Sequence, residues 1–204
     1  MRLILVRHGE SEHVARRIVS AERGCLGLTA RGRDQAEALA KQWAVDGMRA
    51  DVLLHSTAAR AGETAHLLQD ALGVDTVKPD RDLCELWLGE GDGLPRVEFA
   101  KRYGAFDLPT APDRPICPGG ESWNGFLSRV GETLDTLAAT YSGQQVVAVT
   151  HAGFVVAAFL ELFGIPRPGT GARVDPDFTS VTEWEHLPSS KWRLVRLNDT
   201  AHLR

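Results

Sequence analysis

Three short runs of the chain, residues 3–6, 52–54 and 146–149, are continuously apolar and are bounded by polar residues. Apolar runs of this length are typical of strands that are buried on both faces of a parallel sheet. A further short strand is predicted near residues 74–77. The hydrophobic pattern therefore predicts a sheet whose central strands are parallel.

Between these runs, apolar residues recur three or four residues apart, which is the period of an amphipathic helix. The segments with this period are residues 29–47, 57–73, 122–141 and 154–163, with a shorter candidate at Arg96–Tyr103. Thr29, Thr57 and Ser122 stand where N-caps are expected, and Gly73 stands where a helix would end. We therefore expect a helix after most of the predicted strands.

The remaining segments predict loops and a terminal hairpin. Residues 179–186 and 192–198 flank a Pro-Ser-Ser turn and favour two paired strands. Residues 12–28 are polar and predict an irregular loop, and the proline-rich residues 86–121 predict a short lid inserted into one domain, residues 1–204. The alternation of strands and helices predicts an α/β fold, a three-layer α/β/α sandwich around a mainly parallel sheet.

Composition narrows the class of protein. The 204 residues carry a net charge of -4, which argues against a nucleic-acid or membrane-surface partner. The three cysteines are widely spaced and include no Cys-x-x-Cys pair, which suits a reducing cytosol and no structural zinc. With no signal peptide recognised, we expect a cytoplasmic protein that is a monomer or a homodimer.

Histidine and arginine side chains follow the predicted strands at their carboxyl ends. The first strand ends in Arg7-His8-Gly9, and the strand at residues 146–149 is followed by His151. Arg60 lies in the first turn of the helix after the second strand. Because the ends of parallel strands share one edge of the sheet, these donors could surround one phosphoryl group without a metal.

The same residues belong to motifs that resemble those of the histidine phosphatase superfamily, the phosphoglycerate-mutase-like fold, and in particular its small phosphatases. The motifs are Arg7-His8-Gly9-Glu10-Ser11, Ser56-Thr57-Ala58-Ala59-Arg60-Ala61-Gly62-Glu63-Thr64-Ala65, Leu83-Cys84-Glu85, Pro118-Gly119-Gly120-Glu121-Ser122, Thr150-His151-Ala152-Gly153 and the ending Leu197-Asn198-Asp199-Thr200-Ala201-His202-Leu203. They occur in order and cover nearly the whole chain.

The resemblance implies a role for each matching residue. His8 would be the nucleophile that forms a phosphohistidine. Arg7, Arg60 and His151 would hold the phosphoryl oxygens, with His151 counted among the catalytic residues. Glu85 would protonate the leaving oxygen and later activate water. The resemblance implies no metal and no cofactor, and a small phosphorylated metabolite as the substrate.

Some assignments stay open at the level of the sequence. Glu90 and Asp92 lie in the same glycine-rich turn as Glu85, so either could be the proton donor instead. Ser11 could be a substrate ligand or a turn residue. Three residues later, Val14 occupies a position where many members of the family have asparagine, so one polar phosphate ligand is expected to be missing.

Simpler roles are also open for individual residues. Arg60 could be a surface residue paired with Glu63 on the same helix. The histidines expected to be structural or exposed are His13, His55, His66, His186 and His202. The residues expected to influence substrate choice from the rim of the site are Trp87, Phe99, Arg102 and Tyr103.

Together these features predict a metal-independent phosphoric monoester hydrolase. The first alternative is a cofactor-dependent phosphoglycerate mutase, whose relatives have longer, cationic lids. Residues 86–121 contain four basic and six acidic residues, so the phosphatase is favoured. A non-catalytic phospho-ligand binding module and a metalloenzyme with His8, His151 and Glu85 as ligands are further alternatives.

Overall fold

The structure is a computed structural model that describes residues 1–104, 111–165 and 174–204. Its six strands form one sheet in the order β3-β2-β4-β1-β5-β6. The strands are β1 (Arg2–Arg7), β2 (Val52–Ser56), β3 (Val77–Asp80), β4 (Gln145–Thr150), β5 (Val181–His186) and β6 (Trp192–Asp199). The first four are parallel to one another, whereas β5 and β6 are antiparallel additions beside β1.

The helices lie on both faces of this sheet. They are α1 (Glu12–Ala15), α2 (Ala30–Val45), α3 (Ala59–Leu72), α4 (Arg96–Tyr103), α5 (Trp123–Thr140) and α6 (Ala152–Phe163). Strand β1 shows how the layers arise, because successive side chains of a strand point to opposite faces. Leu3 and Leu5 pack with residues of α5 and α6, whereas Ile4 and Val6 pack with residues of α2 and α3. The predicted three-layer sandwich is confirmed.

The helix ends follow the predicted caps in three of four cases. The hydroxyls of Thr29 and Ser122 accept the backbone N–H groups of residues 32 and 125, and Gly73 ends α3 with a φ of 67°. The prediction for Thr57 was wrong. Ala58 is the N-cap of α3, and the Thr57 hydroxyl instead donates to the carboxylate of Glu22.

Two elements differ from the sequence predictions. The expected loop at 12–28 contains α1, a single helical turn that is too short to show a hydrophobic period. Strand β3 begins at Val77 rather than near 74, because the Gln69 amide holds the carbonyls of Val74 and Asp75 against the end of α3. The chain becomes free to pair with β2 only after this turn.

Residues 86–104 and 111–121 lie beside the carboxyl end of the sheet. They contain α4 and a small core in which Leu88, Phe99 and Cys117 pack against Val19. Residues 105–110 of the predicted lid, and residues 166–173, lie outside the described residues, and the role of a lid stays a prediction. No helix within the described ranges combines the length and the apolar character needed to span a bilayer.

Candidate active site

Two histidines meet at the carboxyl edge of the sheet. Strands β1 and β4 are neighbours in register, with Arg7 opposite Thr150, so His8 and His151 follow at the same level. Their ring centroids are 5.1 Å apart. Arg60 reaches them from the first turn of α3, and its side chain is buried rather than paired with Glu63, which instead contacts Arg33. The predicted convergence of strand ends is present in the structure.

The Arg60 guanidinium connects the two rings. Its Nε donates to His8 Nε2 at 3.0 Å, and its Nη2 donates to His151 Nδ1 at 2.9 Å. Because a guanidinium has donors only, both ring nitrogens must be acceptors. The backbone carbonyls of Ser20 and Ala21 accept further N–H groups of Arg60 and hold it in place.

The hydrogen bonds also fix which nitrogen of His8 carries the proton. His8 Nδ1 lies 2.7 Å from its neighbour's carbonyl, that of Gly9, so Nδ1–H donates there. Nε2 then presents a lone pair towards Arg60. By the same reasoning His151 carries its proton on Nε2, which donates to the Ser56 hydroxyl at 2.7 Å.

Burial and positive charge keep both rings neutral. Burial, followed by the charge of Arg60, lowers the pKa of His8 and the pKa of His151 well below 6.5. Neutral imidazole is the nucleophilic form, since the imidazolium has no free lone pair. Two neutral rings beside two guanidiniums, those of Arg7 and Arg60, make a site that favours an anion.

Arg7 has a donor that no described residue of the protein accepts. Its carbon Cζ lies 3.9 Å from the centroid of the Phe178 ring, and one Nη donates to the carbonyl of Pro176. Its Nε is buried and has no hydrogen-bond partner in the described part of the chain. Burial lowers the pKa of Arg7, while the nearby carboxylate of Glu85 opposes that shift. An unpaired buried donor costs about 1–3 kcal/mol, which an anionic ligand would offset.

Glu85 lies at the N-terminus of α6. One carboxylate oxygen accepts the Gly153 N–H at 3.0 Å, and the other accepts the Leu86 N–H at 3.1 Å. A Cβ at position 153 would overlap the Glu85 carboxylate, so this close approach requires glycine. The Arg129 side chain donates to the Glu85 backbone carbonyl and so holds the backbone at Glu85 in place.

The other two candidate carboxylates have different surroundings. Asp92 accepts four backbone N–H groups at distances between 2.7 and 3.1 Å, from Ala21, Glu22, Arg23 and Gly24. Glu90 is exposed to solvent. Asp92 therefore anchors the loop that holds Arg60, and Glu85 is the one of the three that lines the cavity beside His13.

Sequence reasoning placed His13 among structural or exposed residues, whereas the structure buries it at the site. Its ring centroid lies 6.3 Å from that of His8, and Ser11 Oγ lies 2.9 Å from His13 Nδ1. Burial, followed by the charge of Arg60, lowers the pKa of His13 to about 3. Ser11 is thus turned towards His13, and its role as a substrate ligand stays a prediction. Val14 is half-buried on the same short helix.

Ser56 is a second residue that sequence reasoning did not single out. Besides accepting the His151 N–H, its hydroxyl donates to the Cys84 sulfur at 3.1 Å. The one sequence signal for this contact is its position as the last residue of β2, at the same edge as the histidines. Within the described residues, no cluster of three or more His, Cys, Asp or Glu is placed to hold a metal ion.

Comparison with known proteins identifies the family of the chain. The family model of the histidine phosphatase superfamily (branch 1) matches residues 3–200. The bifunctional protein Rv2228c of Mycobacterium tuberculosis is 37% identical over 99% of this chain, which spans 55% of that protein. A metal-independent phosphoserine phosphatase of Arabidopsis thaliana is 29% identical, with 98% of this chain and 82% of that protein aligned. Phosphoglycerate mutases also occur among the relatives.

The comparison with solved structures shows the same fold in another protein. The solved structure of YhfR from Bacillus stearothermophilus has a TM-score of 0.85 at 24% identity, covering 100% of this chain and 99% of that one. The predicted enzyme class, a phosphoric monoester hydrolase, is confirmed at the level of the family. From its sequence motifs, its sheet and its family match, the chain belongs to the histidine phosphatase superfamily, branch 1.

Proposed function

We propose that the protein hydrolyses a small phosphorylated metabolite in the cytoplasm, without a metal ion, through a phosphohistidine on His8. The observation that carries the proposal is the state of the His8 ring. Its proton is held on Nδ1 by the Gly9 carbonyl, and Nε2 is unprotonated and accepts a hydrogen bond from Arg60, with the charge of Arg7 also acting on the ring. A neutral nitrogen lone pair beside a cationic anion site is suited to attack on phosphorus.

Phosphate binding in this proposal uses donors that already surround Nε2. The unpaired Nε–H of Arg7 and the N–H groups of Arg60 would bind phosphoryl oxygens. The hydrogen bond from Arg60 to His8 Nε2 would be exchanged for one to the phosphoryl group before attack. His151 accepts a hydrogen bond from Arg60 and donates one to Ser56, and through these contacts it would hold the Arg60 guanidinium next to the phosphoryl group.

Two transfers complete the reaction. His8 Nε2 forms a bond to phosphorus while the bond to the leaving oxygen breaks, and the carboxyl group of Glu85 gives its proton to that oxygen. The Glu85 carboxylate then takes a proton from water, whose oxygen attacks phosphorus as the P–N bond breaks. Inorganic phosphate leaves, and both side chains return to their starting forms.

Substitution of His8 tests the nucleophile. The measurement is phosphate release from a panel of phosphomonoesters in the presence of a chelator, together with acid-quench detection of protein-bound phosphate. We expect His8→Ala to lose turnover and the phosphoenzyme and to remain folded. The matched control is His66→Ala, an exposed histidine on α3, which should behave as wild type.

Other outcomes would identify the alternatives. Interconversion of 2- and 3-phosphoglycerate with little phosphate release would indicate a mutase. Tight binding of phosphomonoesters without turnover would indicate a binding module. Wild-type hydrolysis by His8→Ala, or activity that a chelator abolishes and added metal restores, would contradict the proposed mechanism.

A further inference from the structure

A cavity of about 560 Å³ lies beside the candidate active site, between the sheet edge and residues 86–104. Glu85 and His13 line it, and the His13 ring centroid lies 6.3 Å from that of His8, so this part of the cavity is next to the proposed nucleophile. Most of its wall is apolar and includes Leu88, Phe99 and Trp123. Its volume lies within the range of roughly 300–1,000 Å³ that is usual for sites of small organic ligands.

The position of Glu85 indicates that this cavity binds the leaving group of the substrate. In the proposed reaction Glu85 protonates the leaving oxygen, so the leaving group extends from phosphorus to the side on which Glu85 lies. The cavity that contains Glu85 is therefore where the leaving group binds. This step depends on the proposed function, whereas the shape and the lining of the cavity do not.

The apolar wall favours an apolar leaving group. Covering such a wall with a ring removes apolar surface from water at roughly 25 cal/mol per Å², whereas a short polyol would leave part of it hydrated. Phe99 and Trp123 are both buried, with 2% and 7% of their surface exposed, so the wall is set by packed side chains.

Arg96 supplies a cation on the same cavity. It lies at the start of α4, is exposed, and lines the cavity. Its side chain has no hydrogen bond or ion pair to other described residues. The neighbouring Arg102 differs, because it is paired with Glu98 at 2.6 Å on the helix surface and does not line the cavity. A cation without a partner beside an apolar wall is suited to a carboxylate on the ligand.

We infer that the substrate is a phosphomonoester whose leaving group has an apolar, ring-sized body and carries a carboxylate. The ring lies between Leu88, Phe99 and Trp123, and the carboxylate lies against Arg96. Arg96 is thus a specificity residue, separate from the groups that act on phosphorus.

Four phosphate esters of primary alcohols test this inference, because their leaving groups have similar basicity. They are ethyl, benzyl, 4-carboxybenzyl and 4-carbamoylbenzyl phosphate. We expect benzyl phosphate to exceed ethyl phosphate in kcat/KM by roughly tenfold or more, from the burial of the ring. The carboxylate should exceed its neutral amide isostere roughly three- to tenfold, as expected for an exposed charge pair.

Two variants separate the two parts of the inference. Arg96→Gln should abolish the preference for 4-carboxybenzyl over 4-carbamoylbenzyl phosphate and keep the preference for benzyl over ethyl phosphate. Arg102→Gln, which changes a paired arginine outside the cavity, should retain both preferences.

Equal turnover of ethyl and benzyl phosphate would contradict the apolar assignment. A preference for the carboxylate that survives Arg96→Gln, or that is absent in the wild type, would contradict the role of Arg96. Calorimetric binding of 4-carboxybenzylphosphonate and its carbamoyl analogue, which cannot be hydrolysed, decides the same question if none of the esters is turned over. Failure of the proposed hydrolysis is thereby distinguished from failure of the specificity.

Discussion

At the scale of single residues, one guanidinium organises the candidate site. Arg60 is 1% exposed and donates to both histidines and to the carbonyls of Ser20 and Ala21. A lysine could not reproduce this arrangement, because a single ammonium lacks the planar fork of donors. Because Arg60 donates to one nitrogen of each histidine ring, the proton of each neutral ring must lie on the other nitrogen.

The contact between Ser56 and His151 predicts a positioning role for Ser56. Ser56→Ala would leave the buried Nε2–H of His151 unpaired, at a cost of about 1–3 kcal/mol in the free energy of unfolding. We also expect kcat to fall with little change in KM, because the His151 ring loses its orientation. Denaturant unfolding and steady-state kinetics measure both effects.

Ser180→Ala is the matched control, since the Ser180 hydroxyl is buried without a hydrogen-bond partner in the described part of the chain. That variant should be as stable as wild type or more stable. Equal effects of the two substitutions would show that Ser56 has no special role.

His13 predicts how stability depends on pH. Its pKa is about 3 in the folded protein, through burial and the charges of Arg60, Arg96 and Arg7, against 6.5 in the unfolded chain, and only Asp92 opposes the shift. The unfolded chain therefore binds the extra proton between those values, so the contribution of His13 is complete above about pH 6.5 and is lost as the pH falls towards 3. His13→Gln should reduce this loss.

Thermal unfolding between pH 7 and pH 4 measures the effect. Some dependence should remain in the variant, since the pKa values of His8 and His151 are shifted in the same direction. His66→Gln on the exposed surface of α3 is the control. An unchanged pH profile in His13→Gln would refute the assignment.

At the scale of elements, Asp92 connects the segment that follows Glu85 to the loop that holds Arg60. Its carboxylate accepts the backbone N–H groups of four successive loop residues, 21–24. The Glu85 carboxylate instead accepts a backbone N–H in the first turn of α6. The two carboxylates thus have separable roles: one fixes a loop, and the other borders the cavity. The choice between them was open in the sequence, because both lie in the same glycine-rich turn.

Leaving-group dependence distinguishes these roles. Glu85→Gln should slow alkyl phosphates far more than aryl phosphates, because a poor leaving group needs the proton most. Asp92→Asn should slow both classes by a similar factor and lower the melting temperature, since the loop loses its charged acceptor. Ratios of kcat/KM for benzyl and 4-nitrophenyl phosphate measure this. A larger ratio change in Asp92→Asn than in Glu85→Gln would reverse the assignment.

At the scale of the whole molecule, the sheet order brings the site together. His8, Arg60 and His151 are separated by 52 and 91 residues along the chain, yet β1, β4 and β2 are neighbours in the sheet. A ligand that occupies their junction should therefore stabilise the entire fold. Inorganic phosphate is the simplest such ligand.

We expect phosphate to raise the melting temperature by mass action. At a concentration of 100 times its Kd, binding to the folded state alone contributes about 2.7 kcal/mol. Arg7→Gln should weaken the effect because it removes the buried donor that has no partner among the described residues. Calorimetry at fixed ionic strength, with sulfate and chloride as controls, measures it. An equal shift for chloride would show that the effect is not specific to phosphate.

Much of the fold and of the site was predictable because it depends on local pattern. The buried runs, the helical periods and the caps at Thr29 and Ser122 are short-range features, and the strand-end motifs placed His8, Arg60, Glu85 and His151 at one edge. The cap at Ala58 and the helix α1 were missed because a contact remote in sequence decides the first and the second is only one turn long. The displaced start of β3 was missed because hydrogen bonds of the Gln69 side chain, which no hydrophobic pattern shows, decide it.

The sequence by itself determined the family, the three-layer fold and the anion-binding character of the sheet edge, since each follows from residue type and spacing. Only the tertiary structure decided that Ser56 orients His151, that Asp92 holds a loop, and that His13 and Arg96 face the cavity. These depend on hydrogen-bond direction, burial and the presence of a partner. Such properties belong to groups brought together by folding, and no local pattern encodes them.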